Sequence, residues 1–317
     1  MIGVNQMKGM PAMTESRVAP GQSTGIFIGR LGGLAFIFAL ALSGIAVKAQ
    51  SHPETSRKQI RFDIAPNGTI NVINNAGLVT LKTGSGHQVV MAYSLHSNKV
   101  EVDQESTPDK RRVEIQAHRL PGQQPTAEEA KVDMELTVPA GVAMTVSTST
   151  AAITAEGLAG DVTLSSDTGA ITAINMLRSH LHVRSVVGPV NLSNLSLGHV
   201  DVTSSGGAVK MVNVTGPKVN VATGSGNISY EGDCSGVGDY LMTTHSGDID
   251  MTLPQTASVD LNARSVSGHV ENDFPLQAKK HPVFAPKAGS SFAGTSNSGS
   301  SSVELRSFSG RIRVKKQ

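Results

Sequence analysis

The chain has 317 residues with 27 basic and 25 acidic side chains, and 3% of its residues are aromatic. This low charge excludes a disordered charged tail, and 33 glycines without a bias toward helix formers exclude a helical bundle or a coiled coil. The composition therefore favours an all-β chain rich in turns.

An apolar stretch near the N-terminus has the features of an export signal. Arg17 and Arg30 precede the segment LGGLAFIFALALSGIAV at 31–47, and the small residue Ala49 follows it. A basic region, an apolar core and a small residue before the cut are typical of a signal peptide. We predict a signal peptide over residues 1–49, cleaved after Ala49. The alternative is an uncleaved membrane anchor, although the stretch is slightly short for a span.

The mature chain is predicted to be nearly neutral. Residues 1–49 hold four basic residues and one acidic residue, so their removal leaves 23 basic and 24 acidic residues. A neutral chain without a basic run has no electrostatic reason to bind nucleic acid. The single cysteine, Cys234, cannot form an internal disulfide, and we interpret it as a small buried or turn residue rather than a reactive thiol.

A repeat of about 19 residues runs through the second half of the chain. Its anchor is an isoleucine or valine, found at Ile153, Ile171, Val190, Val209, Ile228, Ile249, Val270 and Ile312. A glycine stands two residues before every anchor except the first, where Ala151 replaces it. A serine or threonine stands five before, and apolar residues stand seven and nine before. We expect the glycine to supply a positive φ at a tight corner, and the serine or threonine to hydrogen-bond before the turn.

This repeat predicts a parallel β-helix, or β-solenoid, with coils of about 19–21 residues. Alternating apolar residues indicate strands with one buried face, and one unit alone cannot bury that face. Identical residues at identical phase favour coils stacked in register over the alternatives, a sandwich or a barrel. We assign residues 140–317 to the solenoid, with a loop insertion at 274–302, after which the strand pair VELRSFSGRIRV completes the stack. Residues 50–139 are predicted to form a less regular β region that caps its start.

Residues 132–314 resemble the bacterial putative-adhesin family of β-strand-repeat proteins, which has a domain of unknown function related to auto-transporter adhesin head domains. The resemblance rests on the segments VDMELTVPAGVAMTV, TTHSGDIDM, ENDFPL and SSVELRSFSGRIRV. It implies an exported bacterial β-solenoid, located in the periplasm, on the cell surface or outside the cell. It transfers no catalytic, cofactor-binding or metal-binding residue, and we assign none.

Two clusters of outward-facing residues are nevertheless candidates for chemistry. His180 and His199 share one repeat position, and His182 and Asp201 share another, so stacked coils could bring them together as metal ligands. The alternative is that outward positions simply accept polar residues.

The second cluster consists of carboxylates and one histidine. Asp248, Asp250, His269 and Glu271 surround the glycine corner of coils that are adjacent in sequence, and paired carboxylates can act as acid and base in a glycosidase. Sugar sites usually also supply stacking aromatics, and the chain has no tryptophan and three tyrosines, Tyr93, Tyr230 and Tyr240.

The sequence thus leaves two functions open. The favoured one is a non-catalytic exported protein that binds, adheres or acts as a scaffold in the cell envelope, with an unknown protein or glycan partner, no cofactor, and self-association through its coil ends as an option. The alternative is a polysaccharide hydrolase or lyase. We expect no integral membrane domain after signal cleavage.

Overall fold

The computed structural model describes residues 57–317 except 197, 235, 280, 281 and 283, and contains 25 strands in two sheets. The predicted signal peptide lies outside these residues. The predicted all-β solenoid is confirmed, since most neighbouring strands in both sheets are parallel and in register.

The first sheet has 12 strands. In spatial order they are β1 (Arg57–Asp63), β4 (Gln88–Leu95), β7 (Val132–Pro139), β3 (Gly77–Gly84), β9 (Ala152–Glu156), β11 (Ile171–Ile174), β13 (Val190–Ser196), β15 (Val209–Thr215), β17 (Ile228–Glu231), β19 (Ile249–Leu253), β25 (Ile312–Lys316) and β21 (Val270–Asn272).

The second sheet has 13 strands. In the same spatial direction they are β5 (Val100–Ser106), β6 (Arg112–Arg119), β2 (Thr69–Asn74), β8 (Ala143–Thr148), β10 (Gly160–Ser166), β12 (Ser179–Ser185), β14 (His199–Ser204), β16 (Lys218–Thr223), β18 (Asp239–Thr244), β24 (Ser301–Ser307), β20 (Val259–Ser265), β23 (Ser291–Thr295) and β22 (Gln277–Ala278).

Each coil buries apolar side chains from both sheets between them. Every anchor residue and every apolar residue seven or nine positions before it is buried. One coil, for example, inserts Leu181, Val183, Val190, Leu192 and Leu195, each at most 3% exposed. Burying an aliphatic side chain of this size contributes roughly 1.5–3 kcal/mol, so each coil contributes several kcal/mol before the entropy of ordering it.

Seven of the eight members of the serine and threonine column hydrogen-bond at the turn, as predicted, and the eighth, Ser166, has no partner for its hydroxyl among the described residues. All eight members are buried, and the Ser204 hydroxyl donates to the Gly207 carbonyl at 2.9 Å. In other coils the direction is reversed, and the Gly247 N–H donates to Thr244 Oγ1 at 3.0 Å. These hydroxyls are therefore structural hydrogen-bonding groups of the turn rather than nucleophiles.

The expected reason for the repeat glycines is wrong. None of these seven glycines is among the described residues with a positive φ. Instead, a Cβ built on Gly207 would lie 2.0 Å from the carbonyl oxygen of Gly188 in the neighbouring coil, and the corresponding distances at the other six are 1.8–2.2 Å. Glycine is required because the turns stack too closely for any side chain.

Positive φ angles occur at a different corner, four residues after the anchor. Asn175, Asn194 and Asn213 each have a φ of 54°, and Gly157 has a φ of 67° at the equivalent position. Asparagine and glycine tolerate this left-handed conformation best. The asparagine amides also form a ladder, in which Asn213 donates to Asn194 at 3.3 Å and Asn194 donates to Asn175 at 3.4 Å.

The chain order and the spatial order of the coils differ at both ends of the stack. The last coil, β24 and β25, lies between the coil of β18 and β19 and the coil of β20 and β21. The expectation that the last strand pair completes the stack is therefore wrong. At the other end, β2 and β3 lie between β6 and β7 on one side and β8 and β9 on the other.

Antiparallel strands cover much of the sheet edges. β1 and β4 add to β7, and β5 adds to β6. At the opposite end, β23 adds to β20 and β22 adds to β23. The segment 274–302, expected as a loop insertion, therefore contains two short strands that cover an edge of the second sheet. The parallel coils also begin at β2, upstream of the boundary expected at residue 140.

We predict that Gly207→Ala lowers the free energy of unfolding by about 1–3 kcal/mol, because the new methyl group overlaps the Gly188 carbonyl. The matched control is Gly206→Ala, where the nearest heavy atom to the new Cβ is 3.5 Å away. Urea denaturation followed by circular dichroism measures both. Equal stability of the two variants would contradict the close stacking.

Candidate functional site

The histidine ladder does not assemble a three-ligand set. The rings of His180 and His199 lie side by side with centroids 4.9 Å apart, and His180 Nδ1 is 3.2 Å from Asp161 Oδ1. His182 pairs with Asp201 two residues further along the strands. Among the described residues, this ladder does not bring the ligand atoms of three metal-ligating side chains within 4.8 Å of one another. The ligand atoms of Glu101, Asp103 and His118 do lie within that distance, and the repeat pattern gave no sign of them.

The carboxylate cluster is divided by the inserted last coil. Arg313 stands between Asp250 and Glu271 in the register, and its Nε is 2.9 Å from Glu271 Oε2. Arg311 lies 3.3 Å from Asp248 through its guanidinium, and its backbone N–H also donates to Asp248 at 2.8 Å. The arginines lie between the acids, where a glycosidase would place its substrate, so this cluster is a surface ion-pair ladder.

All three tyrosines and the cysteine belong to the core. Tyr230 and Tyr240 are each 1% exposed, and their rings meet edge to face at 5.9 Å. The Tyr230 hydroxyl donates to the Val214 carbonyl at 3.0 Å. Cys234 is buried as predicted, and burial raises the pKa of its thiol to about 12. A thiol that stays protonated at neutral pH is a poor nucleophile and a poor metal ligand.

An exposed aromatic and apolar patch lies on the turns of three neighbouring coils. We call His245, Phe308 and Val266 the Phe308 patch. The rings of His245 and Phe308 stack with centroids 4.9 Å apart and planes 4° from parallel. Phe308 is 50% exposed and Val266 is 59% exposed. Exposed apolar side chains clustered in this way often mark a binding surface.

A groove adjoins this patch on the outer face of the second sheet. We call it the Arg306 groove; its volume is about 480 Å³, within the usual range for ligand sites. It is lined by Asn262, Arg264, Val266, Phe284, Glu304, Leu305, Arg306 and Ser307. Val266 belongs to both the patch and the groove. Arg306 Nε donates to Glu304 Oε1 at 2.7 Å, so the two charges are already paired with each other.

The sequence analysis missed this surface because it depends on the order of the coils. His245 and Phe308 are both four residues before their anchors, but their coils are separated in the chain by the coil of β20 and β21. Only insertion of the last coil beside β18 and β19 brings the two rings together. The sequence did contain one sign of this surface: the turn position four residues before the anchor carries a phenylalanine, Phe308, in the last copy of the repeat.

No helix among the described residues is long and apolar enough to cross a membrane.

Three solved structures are similar to this chain at low sequence identity. One, described as a putative cell adhesion protein from Clostridium sporogenes, is 14% identical with a TM-score of 0.26, and the match covers 83% of this chain and 100% of that one. A putative adhesin from Bacteroides fragilis is 10% identical with a TM-score of 0.41, covering 83% and 98%. A putative adhesin from Parabacteroides distasonis is 9% identical with a TM-score of 0.35, with the same coverage. No curated protein matches the chain.

The sequence model of one family covers most of the chain. That family is described as Toastrack DUF4097, and its model matches residues 69–315, which begin at β2 and end within β25. The matched region includes all the parallel coils described above. The predicted resemblance to a family with a domain of unknown function is thereby confirmed. The chain belongs to the Toastrack DUF4097 family.

Proposed function

We propose that this protein is a non-catalytic, exported β-solenoid that binds a glycan in the cell envelope through the Phe308 patch and the Arg306 groove. The observation that carries this proposal is the exposed ring pair of His245 and Phe308 beside a groove that combines apolar and hydrogen-bonding side chains. The in-register sheets hold both features on one rigid surface.

The patch and the groove offer the two kinds of contact that sugar binding uses. Aromatic rings pack against the apolar faces of sugar rings, and the Phe308 ring, which stacks on His245 through one face, is half exposed on a turn. The amide of Asn262 and the guanidinium group of Arg264 are planar hydrogen-bonding groups that suit hydroxyl and carboxylate oxygens, whereas Arg306 is paired with Glu304. A neutral or acidic glycan therefore fits this surface better than a purely apolar partner does.

A binding role is favoured over the hydrolase or lyase alternative. Glycoside hydrolysis usually requires two carboxyl groups at a defined separation across the scissile bond. Glu304 is the one carboxylate among the described residues that line the groove, and it is paired with Arg306. The carboxylates around Asp248 and Glu271 are held by Arg311 and Arg313. Neither the Arg306 groove nor this carboxylate cluster therefore offers two carboxyl groups, unpaired with arginine, that could act as acid and base.

Export is the second part of the proposal, and it is supported by the basic region, apolar core and Ala49 of the leader. We expect a chain expressed with its leader in a bacterium to accumulate outside the cytoplasm and to begin at Gln50. Cell fractionation followed by mass spectrometry of the N-terminus measures this. A full-length chain in the membrane fraction would support the anchor alternative, and a full-length cytoplasmic chain would contradict export.

The binding surface is tested with Phe308→Ser, which removes the exposed ring. We expect the mature protein to bind at least one glycan in a panel of bacterial envelope polysaccharides, and the variant to bind it at least tenfold more weakly, a loss of about 1.4 kcal/mol or more. The matched control is Val187→Ser, because Val187 is 55% exposed at a turn outside the patch.

Calorimetry or surface plasmon resonance with the unmodified protein and both variants gives the comparison. Equal binding by Phe308→Ser and the unmodified protein would exclude the Phe308 patch. Binding to no glycan in the panel would contradict the partner class, and release of reducing ends during the assay would contradict the non-catalytic role.

A further inference from the structure

The hairpin of β5 and β6, at the opposite end of the second sheet from β20, carries a group of metal-ligating side chains. The two strands are antiparallel, with Glu101 opposite His118 and Asp103 opposite Gln116. Alternate residues of a strand share one face, and opposite residues have neighbouring Cβ atoms. The ligand atoms of Glu101, Asp103 and His118 all lie within 4.8 Å of one another.

The orientation of the His118 ring is fixed from one side by the backbone. Nδ1 is 3.1 Å from the carbonyl oxygen of Arg119. Because a carbonyl oxygen only accepts hydrogen bonds, Nδ1 carries the proton, and Nε2 is the atom that faces the acids. A histidine that binds metal through one nitrogen commonly donates its other N–H to a backbone carbonyl in this way.

The space around Nε2 favours a positive charge. Nε2 lies 2.8 Å from Asp103 Oδ2 and 3.5 Å from Glu101 Oε1. With the proton on Nδ1, the lone pair of Nε2 points toward the same space as the carboxylate oxygens of Asp103 and Glu101. Three electron-pair donors aimed at one space is the arrangement that the ligands of a metal cation adopt.

We propose that Glu101, Asp103 and His118 form a binding site for a divalent cation of the zinc type. Bonds from zinc to nitrogen and oxygen are about 2.0–2.2 Å long, so ligand atoms in a tetrahedral site are about 3.3 Å apart. The two distances from Nε2 lie on either side of that value. The remaining pair, Glu101 and Asp103, has ligand atoms within 4.8 Å, and side-chain rotation would bring them to the same spacing.

The ligand set selects the class of metal. One imidazole nitrogen and two carboxylate oxygens suit zinc, whereas calcium and magnesium prefer sites made entirely of oxygen. Three protein ligands also leave a fourth position open for water or another molecule. The ion would join two strands at the edge of the sheet, because β5 pairs only with β6 among the described strands.

A cavity also lies beside His118. His118 lines it together with Asn74, and its volume is about 600 Å³. Asn74 is 1% exposed, and its Oδ1 has no hydrogen-bond partner among the described residues. An unpaired buried oxygen is a common sign of a bound water or ligand. Neither Glu101 nor Asp103 lines this cavity, and Asn74 lies opposite Ala117 on the buried face of the sheet, so the proposed ion site rests on the geometry of the hairpin alone.

The test is calorimetry of zinc chloride binding to the untagged mature protein, with calcium chloride as the comparison ion. We expect one zinc ion per chain and no heat from calcium. His118→Ala and Asp103→Asn should each weaken zinc binding at least tenfold, and circular dichroism should show that both variants keep the fold. His180→Ala is the matched control, because His180 also faces a carboxylate on an outer strand face.

Three results would overturn this site. They are no zinc heat in the unmodified protein, unchanged binding in both His118→Ala and Asp103→Asn, and loss of binding in His180→Ala alone. The last result would assign zinc to the histidine ladder instead. This proposal does not depend on glycan binding, because the two sites use different residues at opposite ends of the second sheet.

Discussion

The close approach of successive turns is the constraint on which the rest of the structure depends. At each repeat glycine, the position of a Cβ is taken by a carbonyl oxygen of the neighbouring coil. This contact permits the strands on both sides of the turn to stay in register, so that like residues lie over like. The buried aliphatic columns, the hydroxyl column and the asparagine ladder all follow from that register. The outer faces consequently become ladders of polar side chains on a rigid frame.

Charge pattern favours the observed order of the last coils. Sequential stacking would place Asp250 directly beside Glu271, and like charges on adjacent strands are destabilising. Insertion of the last coil places Arg313 between them, and Arg311 between Asp248 and His269. These pairs are partly exposed and contribute at most about 1 kcal/mol each, so we assign them a role in choosing the order rather than in overall stability.

The sequence predicted the repeat, the fold class and the inward residues because a stacked register requires the same residue types at the same phase. It did not predict the order of the coils, because the core residues of different copies are interchangeable. Because the spatial order of the coils was unknown, the sequence placed the carboxylate cluster on neighbouring coils, and it did not predict the contact between His245 and Phe308. The zinc-type site was missed for a related reason, since Glu101 and His118 meet only through an antiparallel pairing outside the repeat.

The most direct test of this account is a pair of disulfide cross-linking experiments on the coil order. Disulfides form when the two Cα atoms are about 4.4–6.8 Å apart, which fits adjacent strands at about 4.8 Å but not strands one coil further away at about 9.6 Å. The account predicts that Asp250→Cys with Arg313→Cys cross-links under mild oxidation, and that Asp250→Cys with Glu271→Cys does not. The reverse result would show sequential stacking, and it would contradict both the inserted coil and the Phe308 patch that depends on it.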